Sequence, residues 1–325
     1  MARTLPVSTY RRLVFAVLLA ALAWWVVYVG YISLNYRTID GALFRDISLT
    51  DYHATLEGTR TFPYQWRALG DWLVRAGEHL LGADPHLVDA ALKTAALVAS
   101  SYFLFLFSTT IVDVVGALLV VALYLLLTVV AFATQGPSIY FLNDYIFMGG
   151  WCAAVYAARR RLWAVVAIAA FVAAWSRETA VLIVILVLLE AWNGRASWSI
   201  WLACAVAAAV PAAILRMMYP APMQDWAWWH VAAMNVPFLD RSGAGLALVL
   251  RNNLKVIVFL NVLWGLAFVQ WRRSSDPFLR SLALTLVCYA VMAWMVVYLR
   301  ELRHILPFTV LVLPLAVAEI ERLAH

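Results

Sequence analysis

Apolar stretches long enough to cross a lipid bilayer recur along this sequence. The first, Leu13 to Leu34, has about 22 nearly unbroken hydrophobic residues, and a helix needs about 20 to cross a hydrocarbon core about 30 Å thick. That run is longer than the apolar core of a cleaved signal peptide, so we interpret it as a retained first membrane span.

The composition also predicts a membrane location. Hydrophobic residues make up 65% of the chain and charged residues 13%. This is more apolar surface than one water-soluble core could bury, so lipid must solvate the excess. Helices satisfy their own backbone hydrogen bonds in lipid, and we therefore expect an all-α integral membrane protein.

The hydropathy pattern predicts about ten transmembrane helices in a single transmembrane domain over residues 1–325. Ten crossings leave both termini on one side of the membrane. The arginines before the first expected span and after the fourth, Arg3, Arg11, Arg12 and Arg159 to Arg161, indicate that this side is cytoplasmic. The expected spans are 12–34, 87–110, 114–134, 144–158, 162–175, 180–192, 198–219, 254–271, 281–299 and 304–318.

Two charged residues, Arg177 and Glu178, interrupt the apolar segment 162–192. The segment is either one long helix or a hairpin of two short helices, and we predict the hairpin, with arms at 162–175 and 180–192. Arms of this length measure about 21 and 20 Å, less than a core about 30 Å thick. The turn would therefore lie below the membrane surface, where protein or a water-filled cavity must satisfy its charges.

Under this topology the longest polar segments lie on the external side. They are the first outer loop, 35–85, and a second large outer loop, 220–253, which is rich in tryptophan. The cytoplasmic side receives only short connectors. This asymmetry predicts a binding or active site on the external face.

The first outer loop contains an amphipathic helix. Apolar side chains recur at helical spacing on one face and charged side chains take the other, which is typical of a helix lying in the membrane interface. Such a helix either anchors the loop or forms a wall that guides a lipid-borne substrate. The apolar face is Leu69, Trp72, Leu73, Ala76 and Leu80, and the charged face is Asp71, Arg75, Glu78 and His79.

Three carboxylates, Asp40, Asp46 and Asp51, follow the first span. A solvated loop often carries acids for solubility alone. One of them is nevertheless a candidate general base, because deprotonating an acceptor hydroxyl requires a carboxylate close to the reacting atoms. Spacing does not rank the three.

Basic residues on the same side are candidates to stabilise a departing phosphate. Guanidinium groups bind phosphate bidentately, and they do so most strongly where water is excluded. The candidates are Arg67, Lys93, Arg177, Arg300 and Arg303. Internal ion pairs are the alternative: Arg177 with Glu178 or with another helix, Arg300 with Glu301, and Lys93 with Asp89 four residues earlier.

Motifs for other chemistries are missing from the sequence. The histidines are scattered, and there is no metal-ligand spacing, Walker loop, dinucleotide fingerprint or serine nucleophile elbow. Spacing therefore predicts no metal site and no cofactor, and we expect no nucleic-acid partner.

Four short segments carry a family resemblance. They are Asp51-Tyr52, Phe62-Pro63-Tyr64-Gln65-Trp66-Arg67, Ser176-Arg177-Glu178-Thr179-Ala180 and Arg300-Glu301-Leu302-Arg303-His304-Ile305-Leu306-Pro307. With its first span, acidic outer loop, interfacial helix and helix bundle in that order, the chain resembles the GT-C superfamily of membrane glycosyltransferases. Members of this superfamily use polyprenyl-phosphate-linked sugars.

The resemblance implies roles for individual residues. Asp51 would be the general base, with Asp40 and Asp46 as alternatives, and Arg177, Arg300 and Arg303 would hold the lipid phosphate. The rest of the substrate site would be Arg67, Lys93, Asp144, Glu178 and His304. The expected reaction moves a sugar from a polyprenyl-phosphate donor to an acceptor glycan, lipid or protein on the periplasmic face of a bacterial inner membrane.

Two other classes of function remain open from the sequence. A lipid or solute transporter or flippase predicts an inverted repeat and a binding site near the membrane midplane between broken helices. A noncatalytic membrane subunit predicts that the outer charges are paired and that the cavity is filled.

Overall fold

The computed structural model describes residues 18–29, 38–39, 42–57, 68–133, 141–218, 245–296 and 302–324. Within these ranges the regular structure is helical, with one pair of two-residue antiparallel strands, β1 (Thr38–Ile39) and β2 (Ala42–Leu43). Short 3-10 helices at Glu178–Ala180 and Leu302–Ile305 directly precede the helices that begin at Val181 and Leu306. The α-helices are α1 (Leu18–Val29), α2 (Phe44–Leu56), α3 (Leu69–Leu81), α4 (Pro85–Ser108), α5 (Val114–Ala133), α6 (Leu142–Arg159), α7 (Trp163–Ser176), α8 (Val181–Trp192), α9 (Trp198–Met218), α10 (Gly245–Leu260), α11 (Val262–Arg273), α12 (Pro277–Val296) and α13 (Leu306–Ala324).

Several of these helices are long and apolar enough to cross a membrane. In the described ranges four segments meet both conditions: α4, Val114–Phe132 of α5, α9, and Leu302–Ala324, which includes α13. Helices α10 and α11 together would make a fifth, and α1, α7 and most of α12 are apolar but shorter. The chain is thus an α-helical integral membrane protein, as the sequence predicts.

The predicted hairpin over 162–192 is confirmed. Helix α7 ends at Ser176, Arg177 has extended backbone with φ −155° and ψ 143°, and α8 begins at Val181. Arg159 precedes the hairpin and Arg195 follows it, and each guanidinium carbon lies 5.5 Å from the centroid of the Phe278 ring. The chain therefore leaves one end of the bundle, turns at Arg177 and returns to the same end.

Small residues let the helices at the centre of the bundle approach closely. A Cβ added to Gly150 of α6 would lie 3.2 Å from the Cβ of Ala173 in α7, and one added to Gly149 would lie 3.5 Å from the Ala96 carbonyl in α4. Close backbone approach of this kind is a main source of helix association in lipid, where burial of apolar surface adds little. The buried Trp151 donates its indole hydrogen to the Pro307 carbonyl at 3.1 Å, which connects α6 to α13.

The expected continuous helix over 254–271 is wrong. Asn261 breaks it with a positive φ of 43°, and the segments Asn253–Leu260 and Val262–Arg273 meet at 71°. Its ψ of −128° places Asn261 outside both the right-handed and the left-handed helical regions, so the helix cannot continue through this residue. Helix α10 also begins at Gly245, inside the segment 220–253 that we expect to be an outer loop.

One end of the bundle is held together by ion pairs. Arg159 lies 2.5 Å from Asp276, and Arg195 lies 3.1 Å from Glu190. Glu319 of α13 accepts hydrogen bonds from Arg273 at 2.8 Å and from Arg322 at 2.7 Å. This is the end that carries Arg159 to Arg161, and the turn at Arg177 lies at the other end.

Candidate functional site

Three charged residues from distant parts of the chain meet at the end of the bundle that contains the turn at Arg177. The two carboxylate oxygens of Asp144 are divided between two arginines: one pairs with Nη1 of Arg177 and the other accepts from Nη1 of Arg303 at 2.8 Å. Both arginine side chains are only 4% exposed and that of Asp144 is 5% exposed. Asp144, Arg177, Arg303 and His304 are called the Asp144 cluster below.

His304 is the fourth member of the cluster. Its Nδ1 lies 3.3 Å from Nη2 of Arg177, and its carbonyl accepts a hydrogen bond from the Tyr289 hydroxyl at 2.8 Å. An arginine nitrogen can only donate, so this contact requires the neutral tautomer with its hydrogen on Nε2. His304 therefore contributes an acceptor to Arg177 and no positive charge.

Local breaks in helical structure position these side chains. Asp144 lies in the first turn of α6, where the helix dipole favours a negative charge. Arg177 occupies the extended residue between α7 and α8, and Arg303 lies in the 3-10 turn before α13. The guanidinium carbon of Arg303 also lies 4.4 Å from the centroid of the Phe141 ring, a cation–π contact that is strongest when desolvated.

The cluster brings charged groups together in a closed space. Its own side chains are two guanidinium groups, one carboxylate and one imidazole. The cavity that they line with Phe147, Met148 and Thr179 has a volume of about 10 Å³, which is roughly the space for one water molecule. Asp144 therefore occupies, in this conformation, the position between the two arginines that an external anion would need.

Helix α3 docks beside the cluster. Gly70, in its first turn, donates its backbone N–H to Oδ1 of Asn143 at 2.9 Å, so the residue next to Asp144 caps this helix. A Cβ on Gly70 would lie 3.1 Å from the Asn143 side chain, which explains the glycine. The rings of Trp72 and Trp175 lie 5.5 Å apart and join α3 to the last turn of α7, next to Arg177.

The predicted position of Asp71 is wrong. We expect it on the charged, solvated face of the interfacial helix, but it is fully buried, along with Gly70 and Val74. The close approach of α3 to α4 is the cause, since a Cβ on Gly77 would lie 2.5 Å from Val88. Gly70, Val74 and Gly77 recur at helical spacing, and this small-residue face is the signal that could have located the buried side.

The opposite face of α3 is apolar and exposed. Leu73, Leu80 and Leu81 are 39%, 83% and 74% exposed. An amphipathic helix with this surface suits the interface between lipid headgroups and hydrocarbon. The exposed Leu73 and Leu80 belong to the apolar face that the sequence predicts, and the location of α3 in the membrane interface stays a prediction.

Helix α2 is attached to α3 and carries two of the predicted carboxylates. The Tyr52 hydroxyl donates to Oε2 of Glu78 at 3.1 Å. Burial and this hydrogen bond raise the pKa of Tyr52 well above its ordinary value, so the hydroxyl keeps its proton at neutral pH. Asp46 is exposed in the first turn of α2, and Asp51 is half-buried further along the helix.

The remaining predicted site residues have separate locations. Lys93 donates to Asp89 at 2.5 Å within α4, and both are buried, which is the ion pair given above as the alternative to phosphate binding. Glu178 is exposed, and the partner of Arg177 is on another helix, one of the two alternatives expected. Asp40, Arg67, Arg300 and the tryptophan-rich segment 219–244 lie outside the described residues.

Neither metal-binding residues nor similarity to known proteins indicates what this site does. In the part of the chain that the structure describes, no group of three histidine, cysteine, aspartate or glutamate side chains could hold a metal ion. Comparison with protein-family models gives no match, and comparison with curated proteins gives none either. Function must therefore be inferred from the chemistry of the Asp144 cluster and of the helices beside it.

Proposed function

We propose that this protein is a GT-C-type membrane glycosyltransferase with about ten spans. It moves a sugar from a polyprenyl-phosphate donor to an acceptor on the periplasmic face of a bacterial inner membrane. The observation that carries the proposal is the convergence of Arg177 and Arg303 on a single buried carboxylate. Asp144 and Arg303 are 159 positions apart in the sequence, and the meeting point lies beside an amphipathic helix.

The two arginines have the chemistry that a lipid phosphate requires. A guanidinium group grips phosphate through two parallel hydrogen bonds, and its effect is largest where water is excluded. Burying such groups in a membrane protein is costly, so they usually serve a purpose there. As the bond between the sugar and the phosphate breaks, negative charge grows on the phosphate, and two preplaced arginines stabilise it.

In this proposal Asp144 is the anion that pairs with the two arginines while no donor lipid is bound. Its carboxylate neutralises one arginine charge while no donor is bound, which lowers the cost of burying both guanidinium groups. The donor phosphate takes over at least one of these contacts when it binds. The cavity of about 10 Å³ has to open for this exchange.

The general base comes from the first outer loop, with Asp51 as the first candidate and Asp46 and Asp40 as the alternatives. The base accepts the proton of the acceptor hydroxyl, whose oxygen bonds to the anomeric carbon of the sugar. The bond from that carbon to the phosphate oxygen breaks, and polyprenyl phosphate leaves with the electron pair. Asp51 is supported by its position on α2, which Tyr52 links to α3 through Glu78.

Polyprenyl-phosphate retention by the purified protein tests this proposal. The protein is delipidated in mild detergent and offered undecaprenyl phosphate and phosphatidylglycerol together, and bound lipid is identified by native mass spectrometry. The wild type is expected to retain undecaprenyl phosphate, and Arg177→Gln is expected to lose it at least tenfold, since a charge-assisted hydrogen bond contributes about 1.5–3 kcal/mol.

Arg159→Gln is the matched control, because it removes one partner of an ion pair at the opposite end of the bundle. The control is expected to retain the polyprenyl lipid as the wild type does. Retention of phosphatidylglycerol alone, or equal retention of undecaprenyl phosphate by Arg177→Gln, would contradict the proposal.

A noncatalytic membrane subunit is the second candidate function. The Asp144 cluster also favours this candidate if its role is only to stabilise the fold. Its charges are paired with one another, and its cavity admits about one water molecule. Both candidates predict that Asp144→Asn lowers stability, and this one predicts that lipid retention is unchanged. The glycosyltransferase proposal predicts instead that Asp144→Asn increases retention, because the competing carboxylate is gone.

A further inference from the structure

A second cavity lies on the surface of the bundle, lined by α11, α12 and α13. It is an apolar cavity of about 320 Å³, within the range of ligand pockets. Phe268, Leu284 and Val287 in its wall are each more than half exposed, so the cavity is an open groove. Its walls also include Trp264, Trp271 and Leu311, and it is called the α11–α12 groove below.

Two arginines, Arg272 and Arg280, are close in sequence to wall residues at one end of this groove. The guanidinium carbon of Arg272 lies 6.0 Å from the centroid of the Phe268 ring. Arg280 precedes the wall residues Ala283 and Leu284 by three and four positions, so it shares their face of α12. Helix α11 ends at Arg273 and α12 begins at Pro277, which brings both arginines to the same end of the groove, and both are exposed.

The charge at this end of the groove is positive. The carboxylate of Glu319 is shared by Arg273 and Arg322, and that of Asp276 is paired with Arg159. These two acids are thus engaged by other arginines, and Arg272 and Arg280 add positive charge beyond them. A groove with an apolar body and a basic end matches a ligand with a hydrocarbon chain and an anionic head.

We propose that the α11–α12 groove binds one anionic phospholipid, with an acyl chain along the aromatic wall and the phosphate between Arg272 and Arg280. Basic pockets between transmembrane helices recognise anionic lipid headgroups in this way. A zwitterionic phospholipid fits the groove equally well but lacks the net negative charge that the arginines favour. The Asp144 cluster lies at the other end of the bundle, so this site is separate from the proposed donor site and does not depend on it.

Competition between two phospholipids tests the site. Delipidated protein is offered equal amounts of phosphatidylglycerol and phosphatidylethanolamine with identical chains, and bound lipid is measured by native mass spectrometry. The wild type is expected to retain one phosphatidylglycerol in preference to phosphatidylethanolamine. The double variant Arg272→Gln/Arg280→Gln is expected to bind phosphatidylglycerol about 30-fold more weakly, which corresponds to about 1 kcal/mol for each arginine.

Arg160→Gln/Arg161→Gln is the matched control. Both residues are exposed, and Arg160 stacks on Tyr156 at 5.9 Å much as Arg272 stacks on Phe268. This control is expected to bind phosphatidylglycerol as the wild type does. Ala283→Trp tests the groove separately, because it fills the space without changing a charge, and it is expected to expel the lipid.

Three results would overturn the proposal. They are equal retention of the two phospholipids by the wild type, unchanged phosphatidylglycerol binding by the double arginine variant, and displacement of phosphatidylglycerol from this groove by undecaprenyl phosphate at equal concentration. The third result would make the groove a polyprenyl-phosphate site. Because Arg272 and Arg280 are both exposed, their replacement leaves the buried core intact.

Discussion

Asp144 balances two guanidinium groups at once, so the residues of its cluster differ in how much their loss should cost. Without Arg177 the carboxylate still has Arg303 at 2.8 Å, and the remaining pair is neutral. Without the carboxylate both arginines lose this ion pair at once, and two buried positive charges face each other. Removing one partner from a buried ion pair is among the most destabilising changes a mutation can make.

This asymmetry gives an order of stabilities. Asp144→Asn is expected to lower the free energy of unfolding by about 3–5 kcal/mol, and Arg177→Gln by about 1–3 kcal/mol. The measurement is denaturant-induced unfolding in mixed micelles, with Arg159→Gln as the control, whose pair is partly exposed. An Arg177→Gln protein that is less stable than Asp144→Asn would contradict the order expected from the charges of the cluster.

A charge inside an apolar segment is visible in the sequence, and this is why the sequence alone singles out Arg177. Its partner is not visible in the same way, since Asp144 lies on a different helix and no spacing rule connects the two. Lys93 and Asp89 show the contrast, because their i,i+4 spacing within one helix predicts the observed pair.

Helix α3 depends on a cap from another part of the chain. Its own N-cap residue, Ala68, makes no side-chain cap hydrogen bond, and Asn143 of α6 accepts from Gly70 instead. The cap therefore fixes α3 against the first turn of α6, where Asp144 lies.

Loss of this cap is expected to loosen α3 specifically. Asn143→Ala should remove about 1 kcal/mol of local stability, so backbone amides in 69–81 should exchange hydrogen about five times faster. The control is Asn193→Ala, which removes a hydrogen bond to Ser281 at the other end of the bundle. Hydrogen exchange read by mass spectrometry checks this, and equal protection of α3 in both variants would contradict it.

The sequence predicts the existence of α3 well and its orientation only partly. The leucine stripe is a periodic signal and marks the exposed apolar face. Asp71 is buried because glycines in α3 let neighbouring helices approach closely. A pattern based on hydrophobicity gives small residues little weight, so it does not predict this burial. Helix α2 is not predicted, because its sequence has no strong apolar periodicity.

At the scale of the whole molecule, hydropathy predicts an α-helical integral membrane protein. The hydropathy of each residue is a local property, and its sum along a helix indicates whether that helix can cross a membrane. The hairpin at Arg177 is predicted for the same reason, since two charges interrupt an apolar run. The bend at Asn261 is not, because it depends on one residue with positive φ. Ten spans remain a prediction, beside the four or five segments of sufficient length and apolarity in the described residues.

The proposed orientation places α3 outside the cell membrane and the turn between α11 and α12 inside. His79 is exposed on the charged face of α3, and Ser275 is exposed in that turn. In a Cys288→Ser background, His79→Cys is expected to react with a membrane-impermeant maleimide added to intact spheroplasts. Ser275→Cys is expected to react only after the membrane is opened, and its labelling in intact spheroplasts would reverse the assigned orientation.

The central claim is that the Asp144 cluster recognises the phosphate of a polyprenyl lipid, and the preference for undecaprenyl phosphate over undecaprenol tests it most directly. The two lipids differ only in the phosphate, so the ratio of their affinities isolates its contribution. The wild type is expected to prefer the phosphate form at least tenfold, Arg177→Gln to lose most of that preference, and Asp144→Asn to strengthen it. Equal affinities for the two lipids in the wild type, or the same ratio in all three proteins, would contradict the claim.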